Sequence, residues 1–596
     1  MQAVYNIAEI CARHGITDVV LSPGSRSAPL TLAFARHPAF AGRVRVVPDE
    51  RAAAFIALGM AQATRRPVVL VCTSGSAGLN YAPAVAEAFF QQIPLLILTA
   101  DRPPEWIDQL DGQTIRQQNL YGRHAKGAFD FPVDTTHPDA KWFSERIINE
   151  AINLSRAAPA GPVQVNVPLR EPIYPKAGEE IGYSDDVKLI RETNNVLRLT
   201  PDAIKELSTA FDSYSKILFV FGQQQGQLYQ TLLHKGWCDY ILEERMGAVF
   251  IGDVISNVNN GNFGHDDGFF DVTHCLPDII LTGSSEEVKT ELKPELLITA
   301  GLSLVSKSLK QFLRQYAPQE HWHIQVAGEV ADTFKSLTRI IRTEPAEAIV
   351  MLMETITPEH LLSDNLQNAR GAYRLSWDEV SAKSRQFLLS ENNLIYNPTV
   401  FGEFTSLARC LKKLPQTTAL HLANSMAVRY ANILGNWPGV QAEVFCNRGT
   451  SGIDGCTSTA VGAALAQPQR PVVLLTGDVA FFYDRNAFWH NYPLPNLRVV
   501  LFNNHGGGIF RIIDGPRQQP ELDEFFETHQ ALTAENTAKD FNLRYFPVSS
   551  FDELDSALPV FFAAETGAAI LEIFTDSKTN AAFFEQYRSA VKTAFA

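Results

Sequence analysis

The stretch PVVLLTGDV at residues 471–479, with LRVVLFNN at 497–504, decides how the C-terminal third of this chain folds. Residues 471–476 and 497–502 are continuous apolar runs rich in Val and Leu, which is typical of buried parallel strands. A helical stretch is predicted between them at about 484–490. Neighbouring parallel strands end at the same edge of a sheet, and open α/β sheets bind ligands there. We therefore expect Asp478 and Asn504 to lie close together in a ligand site.

Asp478 and Asn504 would offer a carboxylate and an amide oxygen to that site. Such hard oxygen ligands suit Mg²⁺, which keeps water and takes further ligands from phosphate. The glycines at 506–508 would let the backbone approach closely. Either half alone is more simply interpreted as a capped turn or an Asx turn, but both at this spacing favour a magnesium-diphosphate site. A second Gly-Asp pair at 252–253 is rejected, because the Asn pair at 259–260 follows too soon for a helix and a return strand.

Composition sets limits on the class of protein. The chain has 596 residues, which predicts about three domains, and 45% of them are hydrophobic. Its net charge of −14 argues against nucleic acid or a polybasic membrane surface as a partner. The sequence contains no apolar run of membrane-spanning length and no secretion signal, so no membrane insertion is expected. Seven cysteines without a CxxC pair indicate reduced thiols and a cytoplasmic location.

Strands and helices alternate along the chain, which predicts an α/β fold of three consecutive doubly wound parallel sheets. The predicted domains cover residues 1–180, 197–350 and 385–596, with a polar linker at 178–195 and helical sequence at 358–393. Strands are predicted at 17–21, 43–47, 68–72, 94–99, 163–167, 216–220, 248–251, 296–299, 323–326, 419–422, 443–446, 471–476, 497–502 and 569–574.

Several common functional motifs are absent from the sequence. It contains no GxGxxG, no P-loop and no GxSxG elbow, which argues against dinucleotide, nucleoside triphosphate and α/β-hydrolase chemistry. His321 and His323 would share one face of a strand without a third ligand, so we interpret both as structural.

Asp49, Glu50 and Arg51 follow the strand predicted at 43–47 and open a helical stretch, RAAAFIALGMAQA. Taken alone, acidic residues at this place are typical of a helix N-cap.

These features together resemble the thiamine diphosphate-dependent enzymes and, within them, the family of 2-succinyl-5-enolpyruvyl-6-hydroxy-3-cyclohexene-1-carboxylate synthases. The Gly-Asp and Asn-Asn pairs match the cofactor signature of the wider group. The narrower resemblance rests on longer motifs: SPGSRSAPLTLA at 22–33, DERAAAFIALGMA at 49–61, TSGSA at 73–77, TADRPPE at 99–105, GQTIRQ at 112–117, ANSMAVR at 423–429, NRGTSGIDG at 447–455 and NNHGGGIF at 503–510. The middle of the chain carries the resemblance only through IGDVIS and a short patch around Lys307.

The resemblance implies the thiamine diphosphate-binding fold, with a pyrimidine-binding domain, a central α/β domain and a diphosphate-binding domain. It implies a transferase of menaquinone biosynthesis that decarboxylates 2-oxoglutarate and adds the remaining carbon unit to isochorismate. Another thiamine diphosphate-dependent carboligase or 2-oxoacid decarboxylase, similar to acetolactate synthase, remains the alternative. A binding protein that has lost the chemistry is disfavoured by the presence of Glu50, Asp478 and Asn504.

The resemblance also assigns roles to residues. Glu50 would activate the cofactor through the aminopyrimidine ring. Mg²⁺ or Mn²⁺ would be held by Asp478, Asn504 and the carbonyl of Gly506. Further cofactor contacts would come from Asn424, Ser425, Met426, Ile453, Gly477, Val479 and Ile509. Substrates would be bound by Ser25, Arg26, Arg102, Gln113, Lys307, Ser425, Arg429, Arg448 and Phe510.

Some of these roles have simpler readings, and the chain departs from the family pattern in places. A single arginine is often a surface ion pair, and Ile453 could be a core residue. Val479 replaces the usual glycine of the signature, Ala480 a phosphate-binding serine, and Ser308 an arginine found in some members. The group shares its active sites between subunits, which implies a homodimer or a homotetramer.

Overall fold

A computed structural model describes residues 1–176, 178–193, 197–224, 246–258, 273–274, 276–357, 361–390, 394–395, 398–435 and 442–595. Within these residues lie three six-stranded sheets in which every strand pairing is parallel. Buried apolar side chains cover both faces of each sheet, as doubly wound sheets require. The predicted fold class is therefore confirmed, whereas the limits given above for the three domains stay predictions. The Asn pair at 259–260 lies outside the described residues.

The first sheet has the strand order β2-β1-β3-β4-β6-β5. Its strands are β1 (Val19–Leu21), β2 (Val44–Val46), β3 (Val68–Cys72), β4 (Leu95–Asp101), β5 (Gly127–Asp130) and β6 (Pro162–Pro168). Its helices are α1 (Gln2–Arg13), α2 (Ala28–Arg36), α3 (Glu50–Thr64), α4 (Ser76–Asn80), α5 (Ala82–Gln91) and α6 (Pro138–Arg156). Helices α3 and α5 pack on one face and α1, α2 and α6 on the other.

The central sheet has the strand order β12-β11-β10-β7-β8-β9. Its strands are β7 (Ile217–Phe221), β8 (Val249–Gly252), β9 (Thr273–His274), β10 (Leu296–Ala300), β11 (Glu320–Ile324) and β12 (Arg339–Ile341). The described helices around it are α7 (Pro201–Asp212), α8 (Pro277–Gly283), α9 (Glu286–Glu291), α10 (Lys307–Gln315), α11 (Pro345–Thr355) and the long α12 (Asp364–Leu389).

The third sheet has the strand order β14-β13-β15-β16-β18-β17. Its strands are β13 (Thr418–Leu422), β14 (Ala442–Phe445), β15 (Val472–Gly477), β16 (Leu497–Asn503), β17 (Arg544–Val548) and β18 (Ala569–Phe574). Its helices are α13 (Glu403–Lys412), α14 (Met426–Leu434), α15 (Cys456–Ala466), α16 (Asp478–Tyr483), α17 (Ile509–Ile512), α18 (Glu535–Asp540), α19 (Phe551–Phe562) and α20 (Ser577–Phe595). Strands β15 and β16 are neighbours, with Gly477 paired to Phe502, so their polar ends meet at one edge.

The C-terminal domain corrects one predicted helix. The α-helix after β15 begins at Asp478 and ends at Tyr483, and a 3-10 turn at Arg485–Phe488 follows it. The prediction of 484–490 was therefore wrong about where the helix begins. No loop separates the strand from the helix, since β15 ends at Gly477 and the helix begins at the next residue. At this junction the peptide N–H of Val479 donates to the Asp478 side chain at 2.8 Å.

The first and third domains meet through α3 and α15, whose buried side chains belong to one continuous apolar core. Glycines allow the two helix backbones to approach closely. A Cβ on Gly59 would lie 2.0 Å from the carbonyl oxygen of Thr459, and a Cβ on Gly462 would lie 2.1 Å from that of Ile56. Helix α3 begins at Glu50, and α15 follows the loop that contains Ile453, so this crossing fixes the position of both predicted cofactor residues.

The described part of the predicted linker packs against the first domain. The side chains of Asn149 and Asn153 on α6 donate to the backbone carbonyls of Lys188 and Ile190, and Val187 is buried. The described part of this segment therefore lies along α6 and is hydrogen-bonded to it, although its composition is polar. None of the described helices is both long and apolar enough to cross a membrane.

Candidate active site

Asp478 occupies the junction of β15 and α16 and is almost fully buried. One carboxylate oxygen accepts from the peptide N–H of Val479 at 2.8 Å, and the other accepts from the Gln530 amide at 3.0 Å. Burial raises the pKa of Asp478 to about 6, and these hydrogen bonds act in the opposite direction. The carboxylate is thus held in place, and within the residues that the structure describes it forms no salt bridge.

Asn504, at the end of β16, is oriented by a carboxyl group that sequence analysis did not identify. Its Nδ2 donates to Oε2 of Glu403 at 3.3 Å, whereas its Oδ1 is buried without a hydrogen-bond donor. Glu403 opens α13 and is itself buried. Its burial and, secondly, the negative charge of Asp478 raise the pKa of Glu403 to about 8. The arrangement leaves one amide oxygen of Asn504 available for a ligand.

These groups fit a divalent cation. A buried amide oxygen without a donor, beside a buried carboxylate, is complementary to a metal ion that prefers oxygen ligands. Gly506 completes the predicted set, and a Cβ there would lie 2.8 Å from the Glu527 carbonyl oxygen, so the loop is closely packed. Across the described ranges, no group of three or more His, Cys, Asp or Glu side chains could hold a metal, so the remaining ligands would come from phosphate or water.

Asn424, Ser425 and Met426 join the end of β13 to α14. The Asn424 amide donates to the carbonyls of Asn447 at 2.6 Å and Gly452 at 2.7 Å, which fixes the following loop to β13. Ser425 adopts a positive φ of 74°, a conformation that non-glycine residues rarely take. Such strain occurs preferentially at ligand sites.

Arg429 and Arg448 form a pair of guanidinium groups beside this turn. Arg448 donates to Oδ1 of Asn424 at 3.1 Å, and Arg429 donates to the carbonyl of Ser425. Burial and, secondly, the charge of Arg448 lower the pKa of Arg429. Within the described residues, neither arginine forms a salt bridge with a carboxylate. Two partly desolvated cations that form no salt bridge are suited to bind an anionic ligand, although the charge of Asp278 also acts on Arg429.

The predicted substrate residues of the first domain lie in its own loops, most with partners in that domain. Buried Arg26 donates to the Leu169 carbonyl and to Glu171, both at 3.1 Å. The Ser25 hydroxyl lies 3.1 Å from the hydroxyl of Tyr174. Arg102 pairs with Asp111 at 2.7 Å, and Gln113 has a positive φ of 57°. In the described part of the chain, no hydrogen bond or ion pair joins these groups to Arg429 or Arg448.

Glu50 is the first residue of α3, and its neighbours contact the third domain. The N-cap Asp49 accepts from Ala52 N–H at 3.0 Å and from the Asn486 amide at 2.8 Å. Arg51 donates to the carbonyl of Tyr483 at 2.9 Å. Among the residues that the structure describes, no hydrogen bond or ion pair joins Glu50 to Asp478 or Asn504.

The other predicted residues surround these groups less closely. Ile453 is half-buried in the loop before α15, and Ile509 is the half-buried first residue of α17. The ring of Phe510 packs on that of Phe526 at an angle of 57°, and Lys307 is exposed at the start of α10. Gly477 ends β15, and Val479 is half-buried beside it.

Sequence analysis missed Glu403, Gln530 and Glu87. Glu87 on α5 is buried and accepts from the peptide N–H groups of Gly449 and Thr450, both at 2.7 Å, next to Arg448. A helical glutamate normally indicates a solvated face, so the sequence holds no signal for this role.

The comparisons with known proteins agree with this architecture. Residues 1–121 match the family described as "Thiamine pyrophosphate enzyme, N-terminal TPP binding domain", and residues 442–573 match the corresponding C-terminal TPP binding domain. The 2-succinyl-5-enolpyruvyl-6-hydroxy-3-cyclohexene-1-carboxylate synthase of Cytophaga hutchinsonii is 46% identical over 100% of both chains. The synthase of the same name from Flavobacterium johnsoniae is 36% identical over 98% of this chain and 97% of its own.

This chain belongs to that family of synthases. The predicted resemblance and its consequence, an enzyme of the thiamine diphosphate group, are therefore confirmed. The crystal structure of benzoylformate decarboxylase from Polynucleobacter necessarius is similar in fold, with a TM-score of 0.70 over 97% of this chain and 99% of that one. Its sequence identity of 16% supports the fold alone.

Proposed function

We propose that the chain decarboxylates 2-oxoglutarate and joins the remaining four-carbon unit to isochorismate by conjugate addition. The product would be 2-succinyl-5-enolpyruvyl-6-hydroxy-3-cyclohexene-1-carboxylate, as the names of the relatives indicate. One observation supports the proposal. The buried side-chain oxygens of Asp478 and Asn504 follow strands of the third sheet, and so does the turn after β13, beside which two guanidinium groups lie without a salt bridge to a carboxylate. The first environment suits a metal-bound diphosphate, and the second suits dicarboxylate substrates.

The cofactor would be thiamine diphosphate with Mg²⁺ or Mn²⁺. Asp478, Asn504 and the Gly506 carbonyl would hold the ion. Residues at the neighbouring strand ends and loops would contact the cofactor, namely Asn424, Ser425, Met426, Ile453, Gly477, Val479 and Ile509. When bound, thiamine diphosphate supplies the electron sink that accepts the electron pair left when carbon dioxide departs.

Glu50 would hold a proton at a ring nitrogen of the cofactor. Its place at the start of α3, fixed by the Asp49 cap, presents a carboxyl group at the end of the first sheet.

The substrate carboxylates would be bound by arginine and by neighbouring polar groups. Arginine binds a carboxylate through two parallel hydrogen bonds and keeps its charge at every accessible pH. The residues proposed for this pocket are Ser25, Arg26, Arg102, Gln113, Lys307, Ser425, Arg429, Arg448 and Phe510. Arg26 and Arg102 would exchange their present carboxylate partners, Glu171 and Asp111, for substrate.

We propose that the enzyme is a homodimer or a pair of dimers in which Glu50 of one subunit serves the cofactor held by Asp478 of the other. A cytoplasmic location is proposed as well, supported by the five described cysteines, which are all buried and unpaired. The shared site is tested by mixing Glu50→Gln and Asp478→Ala chains under conditions of proven subunit exchange. Partial recovery of activity is expected, and an inactive mixture would contradict a shared site.

The activity itself is tested by incubating the protein with 2-oxoglutarate, isochorismate, thiamine diphosphate and Mg²⁺, with mass detection of the adduct. Formation of the adduct is expected, together with release of one carbon dioxide per turnover. Turnover of pyruvate alone, without adduct formation, would instead identify a carboligase or decarboxylase similar to acetolactate synthase. Omission of the cofactor is the matched control.

A further inference from the structure

Lys310, on helix α10 of the central domain, lies beside Arg448 of the third domain. Its Nζ donates to the carbonyl oxygen of Leu304 at 3.2 Å, and Nη2 of Arg448 approaches the same oxygen at 3.5 Å. Two cationic groups from different domains therefore flank one oxygen atom. Arg429 stands next to Arg448, so three cations gather around the turn that follows β13.

Two carboxyl groups lie near this cluster: Asp253 acts on Lys310, and Asp278, whose oxygens accept from Ser306 and Asn432, acts on Arg429. Lys310 is half-buried, and its burial, followed by the charge of Arg448, lowers its pKa; Arg314 and Arg429 act in the same direction. The carboxyl group of Asp253 faces it, but one oxygen of that group already accepts the peptide N–H groups of Val305 and Ser306. Burial raises the pKa of Asp253 to about 7, and its second carboxyl oxygen has no hydrogen-bond partner, so no salt bridge joins it to Lys310.

A cluster of this kind costs stability in the free protein and gains it when an anion binds. Partly desolvated cations repel one another, and within the described residues neither Lys310, Arg429 nor Arg448 forms a salt bridge. Uncompensated charges gathered in this way mark sites for ligands of opposite charge. Lys310 also lies three residues after Lys307 on α10, so the two ammonium groups occupy neighbouring positions on one side of that helix.

We propose that Lys310 binds a substrate carboxylate together with Arg448, so that the central domain contributes a specificity-determining residue to the active site. The assignment rests on the proposed function for the identity of the substrates. The carboxylate could belong to 2-oxoglutarate or to isochorismate, and both offer the same chemistry to an ammonium group.

The test compares Lys310→Met, which removes the charge, with Lys310→Arg, which keeps it. Arg314→Met is the matched control, since Arg314 is exposed on the same helix and its Nε donates to the Thr333 carbonyl at 2.9 Å. Succinate, an unreactive dicarboxylate, is titrated into each protein loaded with thiamine diphosphate and Mg²⁺. We expect the Kd for succinate or the KM for isochorismate to rise about tenfold in Lys310→Met, with smaller changes in Lys310→Arg and none in Arg314→Met.

Two further measurements identify the carboxylate and exclude a purely structural role. If Lys310 binds the distal carboxylate of 2-oxoglutarate, Lys310→Met lowers the preference for 2-oxoglutarate over 2-oxovalerate, which lacks that group. If it binds isochorismate, that preference is unchanged and the KM for isochorismate rises. In both cases the Tm of the unliganded variant is expected to equal or exceed that of the wild type, because a repelled cation has been removed.

The proposal would be overturned if folded Lys310→Met kept the wild-type Kd for succinate, the wild-type KM values and the wild-type preference for 2-oxoglutarate over 2-oxovalerate. If that variant does not fold, Lys310→Gln takes its place, and failure of both to fold would show a structural role and equally overturn it. Failure of the proposed function is recognised separately, as a wild-type protein that binds succinate but forms no adduct from 2-oxoglutarate and isochorismate.

Discussion

The crossing of α3 and α15 makes a quantitative prediction about two glycines in helices. Gly462 lies inside α15, where an added Cβ would be 2.1 Å from the carbonyl oxygen of Ile56. Gly371 lies inside α12, where an added Cβ would meet nothing within 4 Å. The substitutions Gly462→Ala and Gly371→Ala are therefore chemically identical changes in helical backbones, and they differ in the space available to the new methyl group.

The expected magnitudes follow from helix propensity and packing. Alanine favours a helix interior over glycine by about 1 kcal/mol, so Gly371→Ala should raise the free energy of unfolding by about 0.5–1 kcal/mol. Overpacking a core costs about 1–3 kcal/mol, and the upper end applies to Gly462 because the obstacle is a backbone oxygen that cannot rotate away. After subtraction of the propensity gain, Gly462→Ala should destabilise the protein by about 2 kcal/mol.

The assay compares unfolding midpoints in denaturant and the affinity for thiamine diphosphate. Midpoints are preferred to extrapolated free energies, because a chain with three sheets need not unfold in one step. Separation of α3 from α15 would displace Glu50 and the loop containing Ile453, so Gly462→Ala should also weaken activity at temperatures where it is folded. Equal midpoints for Gly462→Ala and Gly371→Ala would refute the close approach of these helices.

Two other changes test the site, and a third tests the buried Asp484, which accepts from the peptide N–H and the hydroxyl of Ser458. Asp478→Asn removes a charged ligand and should weaken Mg²⁺-dependent binding of thiamine diphosphate by about 100-fold, measured by calorimetry; a change below threefold would exclude Asp478 as a ligand. Glu403→Leu leaves the Asn504 amide without its acceptor and should weaken Mn²⁺ binding about tenfold by electron paramagnetic resonance, whereas Glu403→Gln should weaken it less. Burial raises the pKa of Asp484 to about 7, so its contribution to stability is complete at low pH and is lost as pH rises through 7. The Tm of the wild type minus that of Asp484→Asn should therefore fall between pH 5 and pH 8, and a constant difference would contradict this assignment.

The sequence predicted the inner strands of all three sheets and missed four strands at their edges. The missed strands are β5, β9, β12 and β17, and each is the last strand on one side of its sheet. An edge strand has fewer neighbours and one exposed side, so it lacks the continuous apolar run that identified the inner strands. Strand β17 even contains Pro547, which normally argues against a strand.

Strand β11 shows a second limit of pattern reading. It covers Glu320–Ile324, earlier than the predicted 323–326, because its sequence EHWHI looks polar. In the structure His321 and His323 are buried, and each lies 2.8 Å from the Thr299 hydroxyl of the neighbouring strand. Their polarity is satisfied by a partner that no local pattern in the sequence could show, and their interpretation as structural residues agrees with this contact.

The sequence predicted those site residues that directly follow strands. It did not predict the site residues that lie on helices distant in the sequence. Asp478 and Asn504 follow apolar strands, so topology alone places them together. Glu403 bonds Asn504 across 101 positions, and Glu87 bonds Gly449 across 362 positions. Both acids sit in ordinary amphipathic helices: Glu403 takes its role from packing within the third domain, and Glu87 from the packing of the first domain on the third.

The charge distribution of the site explains how an acidic protein can hold acidic substrates. The chain carries a net charge of −14, yet its cations concentrate beside β13, where Arg429, Arg448 and Lys310 repel one another. Its buried acids Asp478 and Glu403 concentrate beside β15 and β16, where the charge of Asp478 raises the pKa of Glu403. Since no salt bridge within the described residues neutralises either group, a metal ion would relieve one repulsion and a dicarboxylate the other. A ligand that binds only the folded state stabilises it, so each of these two ligands should raise the Tm independently of the other.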